Sequence, residues 1–315
     1  MDVTNFVSFQ EKITAECGKV IVGKDDVIQK VLICYLCGGH VLLEDVPGTG
    51  KTMLLRTFSR CVGGSFRRIQ FTPDLLPSDL TGITFFNQEK QGFEFRQGPL
   101  FANVVLADEI NRATPRTQSS LLEAMEERQI TVDGNTFPLE PPFFVMATQN
   151  PLESSGTFPL PEAQIDRFFM RLKLGYMTRE QEISVISRVS TIDIVDSLEC
   201  VISPEEIAEM KKTFHEVSVS EEVAGYLMDI IERTRTESRF VTGVSTRGAI
   251  ALYKAAQVTA ALNGRDYVLP EDIRFVAPHV LSHRVASSNT RSSDTETYIR
   301  KILDETPVPL ERIKQ

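Results

Sequence analysis

No stretch of this sequence is suited to crossing a bilayer. The longest apolar run, Val31 to Leu43, is 13 residues and contains Gly38, Gly39 and His40, whereas a spanning helix needs about 20 apolar residues. Basic and apolar residues are also scarce at the start, Met1-Asp2-Val3-Thr4-Asn5, so no secretory signal is expected. Cysteine is scarce. Five scattered residues, an odd number, speak against a disulfide framework and for a reducing compartment, the cytoplasm. Positive charge is also short, with 34 Lys and Arg against 43 Asp and Glu and a net charge of -9. A protein that grips phosphates needs a basic face, so nucleic acid is not the expected main partner. There is no internal repeat and no low-complexity segment.

What is present is an ordinary globular composition, 42% hydrophobic and 24% charged, too apolar for a disordered chain. At about 150 residues per domain, the 315 residues predict two domains or one with an appendage. Short apolar runs at Val41 to Leu43, Ile69 to Phe71, Val104 to Ala107, Phe143 to Ala147 and Phe169 to Leu172 read as strands. Several are apolar at consecutive positions, as in a parallel sheet covered on both faces. Helical patterns lie between them, which predicts an α/β domain over residues 1–175. Beyond Gly175 the strands stop. Ser203-Pro204-Glu205-Glu206 carries the signals of a capped helix start. Helices are predicted from Ser220 to Glu237, from Ser245 to Leu262 and from about Pro270, so residues 176–315 form a helical domain. The stretch Ser287 to Thr297 reads as a solvated loop. Two β-hairpins interrupt the α/β alternation and should project from the sheet. One joins Ile83–Asn87 to Phe93–Arg96, and the other joins Gln129–Val132 to Asn135–Leu139 through Asp133-Gly134.

Three motifs carry chemistry. Asp45-Val46-Pro47-Gly48-Thr49-Gly50-Lys51-Thr52 follows a strand and opens a helix, the setting of a phosphate-binding loop (P-loop). Its glycines let backbone amides wrap phosphates at a helix N-terminus. Lys51 would reach the β- and γ-phosphates of ATP, and the Thr52 hydroxyl would bind Mg²⁺. Asp45 stands where the usual first glycine would be. In Asn103-Val104-Val105-Leu106-Ala107-Asp108-Glu109 an apolar strand ends in two acids. Asp108 could hold the metal through water, and Glu109 could polarise a water for attack on the γ-phosphate. In Ala147-Thr148-Gln149-Asn150-Pro151 the Asn150 amide could orient that water, although an Asn-Pro turn accounts for the same residues.

Together these residues resemble an AAA+ ATPase. Phe71-Thr72-Pro73-Asp74-Leu75-Leu76-Pro77-Ser78-Asp79-Leu80, Leu106-Ala107-Asp108-Glu109-Ile110-Asn111-Arg112-Ala113, Leu121-Leu122-Glu123-Ala124-Met125-Glu126-Glu127 and Pro159-Leu160-Pro161-Glu162-Ala163-Gln164-Ile165-Asp166-Arg167-Phe168 closely resemble the MoxR family. The likeness covers nearly the whole chain and fades after about Ser287. It implies an AAA+ core with a central parallel sheet, two inserted hairpins and an all-α lid. It implies that Arg167 is an arginine finger reaching a neighbouring subunit's nucleotide. It implies that Arg247, in Val244-Ser245-Thr246-Arg247, is a sensor residue on a lid helix folded over the γ-phosphate. Val22-Gly23 matches the family's adenine-side loop, and a plain turn between two helices accounts for it as well. The family further implies a ring, taken as a homo-hexamer, with a chaperone-like role toward a client protein, often a von Willebrand factor A-domain protein.

Cys34 and Cys37 read as small buried thiols. His279 and His283 lack an evident third metal ligand. Glu123, Glu126 and Glu127 read as a solvated helix face, and Leu121, Leu122 and Met125 as core. Two rival functions remain: a nucleic-acid motor of the same clade, and a nucleotide switch without turnover. The hairpins show no net basic strip, since Lys90, Arg96 and Arg128 stand against Glu89, Glu94 and Asp133. Glu109 and Arg167 argue against a silent switch. The first hairpin carries no Gly-Ala-Phe-Thr-Gly-Ala loop, which argues against an enhancer-binding activator.

Overall fold

The computed structural model describes residues 3–45, 48–150, 156–187, 195–286 and 292–309. Five strands form one parallel sheet: β1 (Val41–Glu44), β2 (Phe66–Gln70), β5 (Val104–Asp108), β8 (Phe144–Gln149) and β9 (Met170–Leu172). Their spatial order is β2-β5-β8-β1-β9. β3 (Gly82–Asn87) pairs only with β4 (Gly92–Gln97), and β6 (Gln129–Val132) only with β7 (Asn135–Pro138). Both hairpins therefore stand off the sheet, as their turn signals predict. They also touch each other: the Phe95 and Phe137 rings stack at 4.4 Å, with Phe101 edge-on to Phe95.

Twelve helices surround the strands among the described residues. They are α1 (Thr4–Gly18), α2 (Asp25–Leu36), α3 (Lys51–Cys61), α4 (Pro77–Thr81), α5 (Pro115–Glu127), α6 (Glu162–Ile165), α7 (Arg179–Ile186), α8 (Pro204–Thr213), α9 (Glu221–Thr236), α10 (Thr246–Leu262), α11 (Pro270–Leu281) and α12 (Ser292–Glu305).

Strand alternation sorts the core into two layers. Val41, Leu43, Val104, Leu106, Phe144 and Met146 face α1 to α3 and the helices that follow residue 200. Leu42, Val105, Ala107, Val145 and Ala147 face Leu121, Leu122 and Met125 of α5. Because both faces are covered, β1 and β5 are apolar along nearly their whole length. Tyr35 of α2 packs edge-on against Phe58 of α3 at 5.3 Å and Phe144 of β8 at 5.5 Å, which locks the helix that begins at Lys51 to the central strand. α8 starts as its sequence predicts: Ser203 Oγ accepts the Glu206 N–H and Glu206 accepts the Ser203 N–H. One expectation fails. Of the stretch read as a solvated loop, residues 287–291 lie outside the described residues, and Ser292 onward is α12, whose apolar side packs Ile299, Ile302 and Leu303 into the core. Its Ser/Thr-rich first turn hid an amphipathic helix.

Candidate functional site

Strands β1, β5 and β8 deliver the three motifs to one edge of the sheet. Val46 and Pro47 lie outside the described residues. Gly48 and Gly50 have φ of +86° and +88°, a region that favours glycine over residues with a side chain. Lys51 opens α3, and its Nζ donates to the Asp45 carbonyl at 2.9 Å. The Asp45 carboxylate, in place of a glycine, accepts the N–H groups of Leu174 and Gly175 at 2.7 and 2.8 Å, tying the loop to the end of β9. Lys24 meets the same segment, donating to the Leu174 carbonyl at 2.6 Å and the Tyr176 carbonyl at 3.0 Å. The Val22-Gly23 turn joins α1 to α2 and is thereby held on the P-loop side of the molecule.

A cavity of 540 Å³ is lined by Gly48, Gly50, Lys51, Thr52, Asp108, Glu109 and Asn150, so the three motifs converge. Thr148 Oγ1 organises the acids: it donates to Asp108 Oδ1 at 2.7 Å and accepts the Glu109 N–H at 2.8 Å. Glu109 has φ of +57°, unusual for a residue with a side chain and found where a site holds strain. The oxygens of Thr52 and Asp108 suit Mg²⁺, which takes one or two protein oxygens and completes its shell with phosphate and water. Among the described residues no cluster of three or more His, Cys, Asp or Glu forms a metal cage.

Sequence reasoning missed two contributors on β2. The register pairs Gln70 with Asp108. Arg68 and Gln70, two apart and so on one face, reach over to β5. Arg68 meets Asp108 Oδ2 at 2.7 Å, and Gln70 Nε2 donates to Glu109 Oε2 at 2.7 Å. The visible signal was a pair of polar side chains alternating on a strand beside the acids.

Arg167 and Arg247 lie elsewhere. Both meet Glu126, at the end of α5: Arg167 Nε is 3.1 Å from Oε2, and Arg247 donates to Oε1 at 2.6 Å. This cluster sits where β1 begins. His40, just before β1, accepts the Val145 N–H through Nδ1 at 3.0 Å and donates through Nε2 to the Met125 carbonyl at 3.1 Å. Burial lowers the His40 pKa to about 3, so its imidazole is neutral. The P-loop lies where β1 ends, and four residues of strand span about 13 Å. Arg247 does not line the P-loop cavity of its own chain. It does begin a lid helix, α10, but the ion pairs with Glu126 and Asp166 hold it beside Arg167. Glu123, Glu126 and Glu127 are exposed, as expected of a solvated helix face, and Glu126 in addition pairs with both arginines. Cys34 and Cys37 have thiol pKa values raised by burial, as expected of inert thiols. His283 donates to the Phe168 carbonyl at 2.9 Å.

Comparison with known proteins agrees with this architecture. Residues 40–170 match the ATPase family associated with various cellular activities, and residues 232–302 match an AAA lid domain. The Bacillus subtilis protein YeaC is 46% identical over 304 residues, covering 96% of this chain and 95% of that one. Chaperone MoxR1 of Mycobacterium tuberculosis is 38% identical over 311 residues, covering 95% of this chain and 82% of that one. A crystal structure from Cytophaga hutchinsonii, 40% identical, superposes with a TM-score of 0.89 over 97% of both chains. With a P-loop core, two inserted hairpins and a helical lid matched along nearly its full length, the chain belongs to the MoxR family of AAA+ ATPases.

Proposed function

We propose that the protein hydrolyses ATP at sites shared between neighbouring copies in a ring, a homo-hexamer, and uses turnover to remodel or activate a client protein. Residues 1–175 bind the nucleotide and residues 176–315 act as the lid. The observation that carries this reading is the separation of the P-loop cavity from the arginine pair, which lie at opposite ends of one sheet. The P-loop cavity is lined by Lys51, Arg56 and Arg68 but not by Arg167 and Arg247, which in this reading serve the cavity of a second copy.

In this reading the loop amides and Lys51 hold the phosphates, and Thr52 and Asp108 hold a Mg²⁺ that offsets their charge. Glu109 takes a proton from the attacking water, steadied by Gln70 on Oε2. Asn150 orients that water. Arg167 and Arg247 of the neighbouring copy face the charge that develops on the γ-phosphate. The chaperone-like role is supported by the relative named Chaperone MoxR1, and a von Willebrand factor A-domain protein is the first client class to test. Five free thiols fit a reducing compartment, the cytoplasm. No helix among the described residues is long and apolar enough to cross a membrane.

The test mixes two inactive variants. Arg167→Ala should bind ATP nearly normally and lose turnover by about 10³-fold or more. Lys51→Ala subunits, unable to bind nucleotide, should lend it their finger and restore part of the activity. Specific activity of the unaltered protein should rise with concentration as rings assemble. Wild-type turnover by Arg167→Ala, or activity per subunit that is flat with concentration, overturns the shared site.

A further inference from the structure

We infer that Glu126 is a positioning residue: its carboxylate holds Arg167 and Arg247 as one fork, aimed together at the terminal phosphate of the nucleotide bound by the neighbouring copy. The inference rests on the shared-site reading above and adds to it the residue that couples the two arginines.

Arg167 follows α6 and Arg247 begins α10, so two separate elements must bring like charges to one place. A carboxylate between two guanidinium groups removes their mutual repulsion and fixes their spacing. Glu126 does this with one oxygen for each, Oε2 to Arg167 and Oε1 to Arg247.

The cluster extends further as a ladder of alternating charge. Arg247 is 3.8 Å from Asp166, and Asp166 is 2.8 Å from Arg284 Nε. The Arg284 side chain is only 3% exposed and also donates to the Phe168 and Phe169 carbonyls. One end of the ladder is thus rooted in the core, and the other ends at Arg167 on the surface. Glu126 is rooted as well, since the preceding carbonyl, Met125, is held by the buried His40. Arg167 contacts Glu126 through Nε, a geometry that keeps the terminal nitrogens of the guanidinium for a bidentate approach to phosphate oxygens. The pair is a preorganised cation of the kind that stabilises a transferring phosphoryl group without moving at the moment of reaction.

A side chain that only stabilised the fold would behave differently from one that sets this fork, and a double-mutant cycle separates the two. Steady-state ATP hydrolysis is measured on assembled rings for the unaltered protein, Glu126→Gln, Glu126→Asp, Arg247→Ala and the double variant Glu126→Gln/Arg247→Ala. Glu126→Gln should lower kcat about tenfold, the order expected for a small misplacement of a catalytic group, with KM for ATP within about twofold of normal. Glu126→Asp keeps the charge and should recover about a third of the activity or more. In the Arg247→Ala background, Glu126→Gln should cost less than about twofold, because no fork remains to be set. Three results overturn the inference: normal kcat for Glu126→Gln, a raised kcat, or a tenfold loss repeated in full without Arg247. Arg167→Ala, assayed alongside, tells the two levels apart. If it is inactive while Glu126→Gln is normal, this inference alone falls; if it hydrolyses ATP at the normal rate, the shared-site reading falls with it.

Discussion

The two ends of the parallel sheet solve different problems with different materials. At the end where β1 finishes, loop, acids and amide come from the tips of adjacent strands, and short hydrogen bonds fix them: Thr148 to Asp108 at 2.7 Å and Gln149 to the buried Glu44 at 2.6 Å. At the end where β1 begins, the arginines come from elements far apart in the chain. Arg247 and Glu126, for instance, are 121 residues apart, and partly exposed ion pairs join them. Exposed pairs contribute about 0–1 kcal/mol each, so this end is held together by its ladder of alternating charges rather than by any one pair. The buried end relies instead on hydrogen bonds that are individually costly to leave unmade. In the proposed reading one end encloses a ligand, and the other presents a pair of charges set by Glu126.

Breaking the holding end should have the largest effect. Lys51→Ala removes the cation proposed to reach the outer phosphates, so nucleotide binding and all turnover should be lost. Equilibrium titration with a fluorescent ATP analogue checks this, and retained affinity would show that the loop is not the anchor. Glu109→Gln comes next. It is isosteric and should keep nucleotide affinity within about threefold while lowering turnover by about 10²–10⁴, the range for a general base. Equal loss of affinity in both variants would mean that Glu109 holds phosphate rather than water.

The same contrast governs how much was legible in the sequence. Strand, glycine turn, Lys-Thr and helix are contiguous, and acids at the end of an apolar run point to a strand tip, so the holding end could be read residue by residue. The contributions of Arg68 and Gln70 depend on the register of β2 against β5, which no local pattern specifies. Arg167 and Arg247 could be singled out only through family resemblance. The neighbours of Arg247 are set by tertiary packing, which brings it to Glu126, 121 residues away in the chain. Glu126 is exposed as read, but its partners Arg167 and Arg247 lie far away in the chain and could not be inferred from α5 alone. The α12 helix was hidden by a polar first turn, where local propensity was outweighed by packing of Ile299, Ile302 and Leu303.

A smaller effect sharpens the contrast. Thr148→Val keeps the shape of a buried side chain but deletes the hydroxyl that serves both acids. Leaving the Glu109 N–H and one Asp108 oxygen without that partner should cost about 1–3 kcal/mol of stability. Denaturant unfolding measures this, and a midpoint equal to the unaltered protein would show that the hydroxyl is replaceable. The left-handed turn at Glu109 should also relax, with a drop in turnover of about tenfold.

A pH-dependent effect falls on the other end. His40 and His283 both donate to carbonyls one residue from the ladder, at Met125 and Phe168. Burial lowers the pKa of His40 to about 3, and that of His283 well below the ordinary value. Both are neutral in the folded chain, whereas the unfolded chain takes up a proton on each below about 6.5. The unfolded state then binds more protons, so stability is complete above about pH 6.5 and falls as the pH drops toward the folded values. The His40 imidazole should contribute a slope of about 1.4 kcal/mol per pH unit through its window. His40→Gln, neutral at every pH, should be less stable at pH 8 yet show a slope shallower by that amount between pH 6 and 4. An unchanged slope would mean that His40 takes up its proton without unfolding. Because both rings brace the arginine end, mild acid should lower trans-dependent turnover before it lowers nucleotide binding, which rests on groups at the opposite tips of the strands. Loss of both at the same pH would show that the two ends unfold as one unit and that their separation is only geometric.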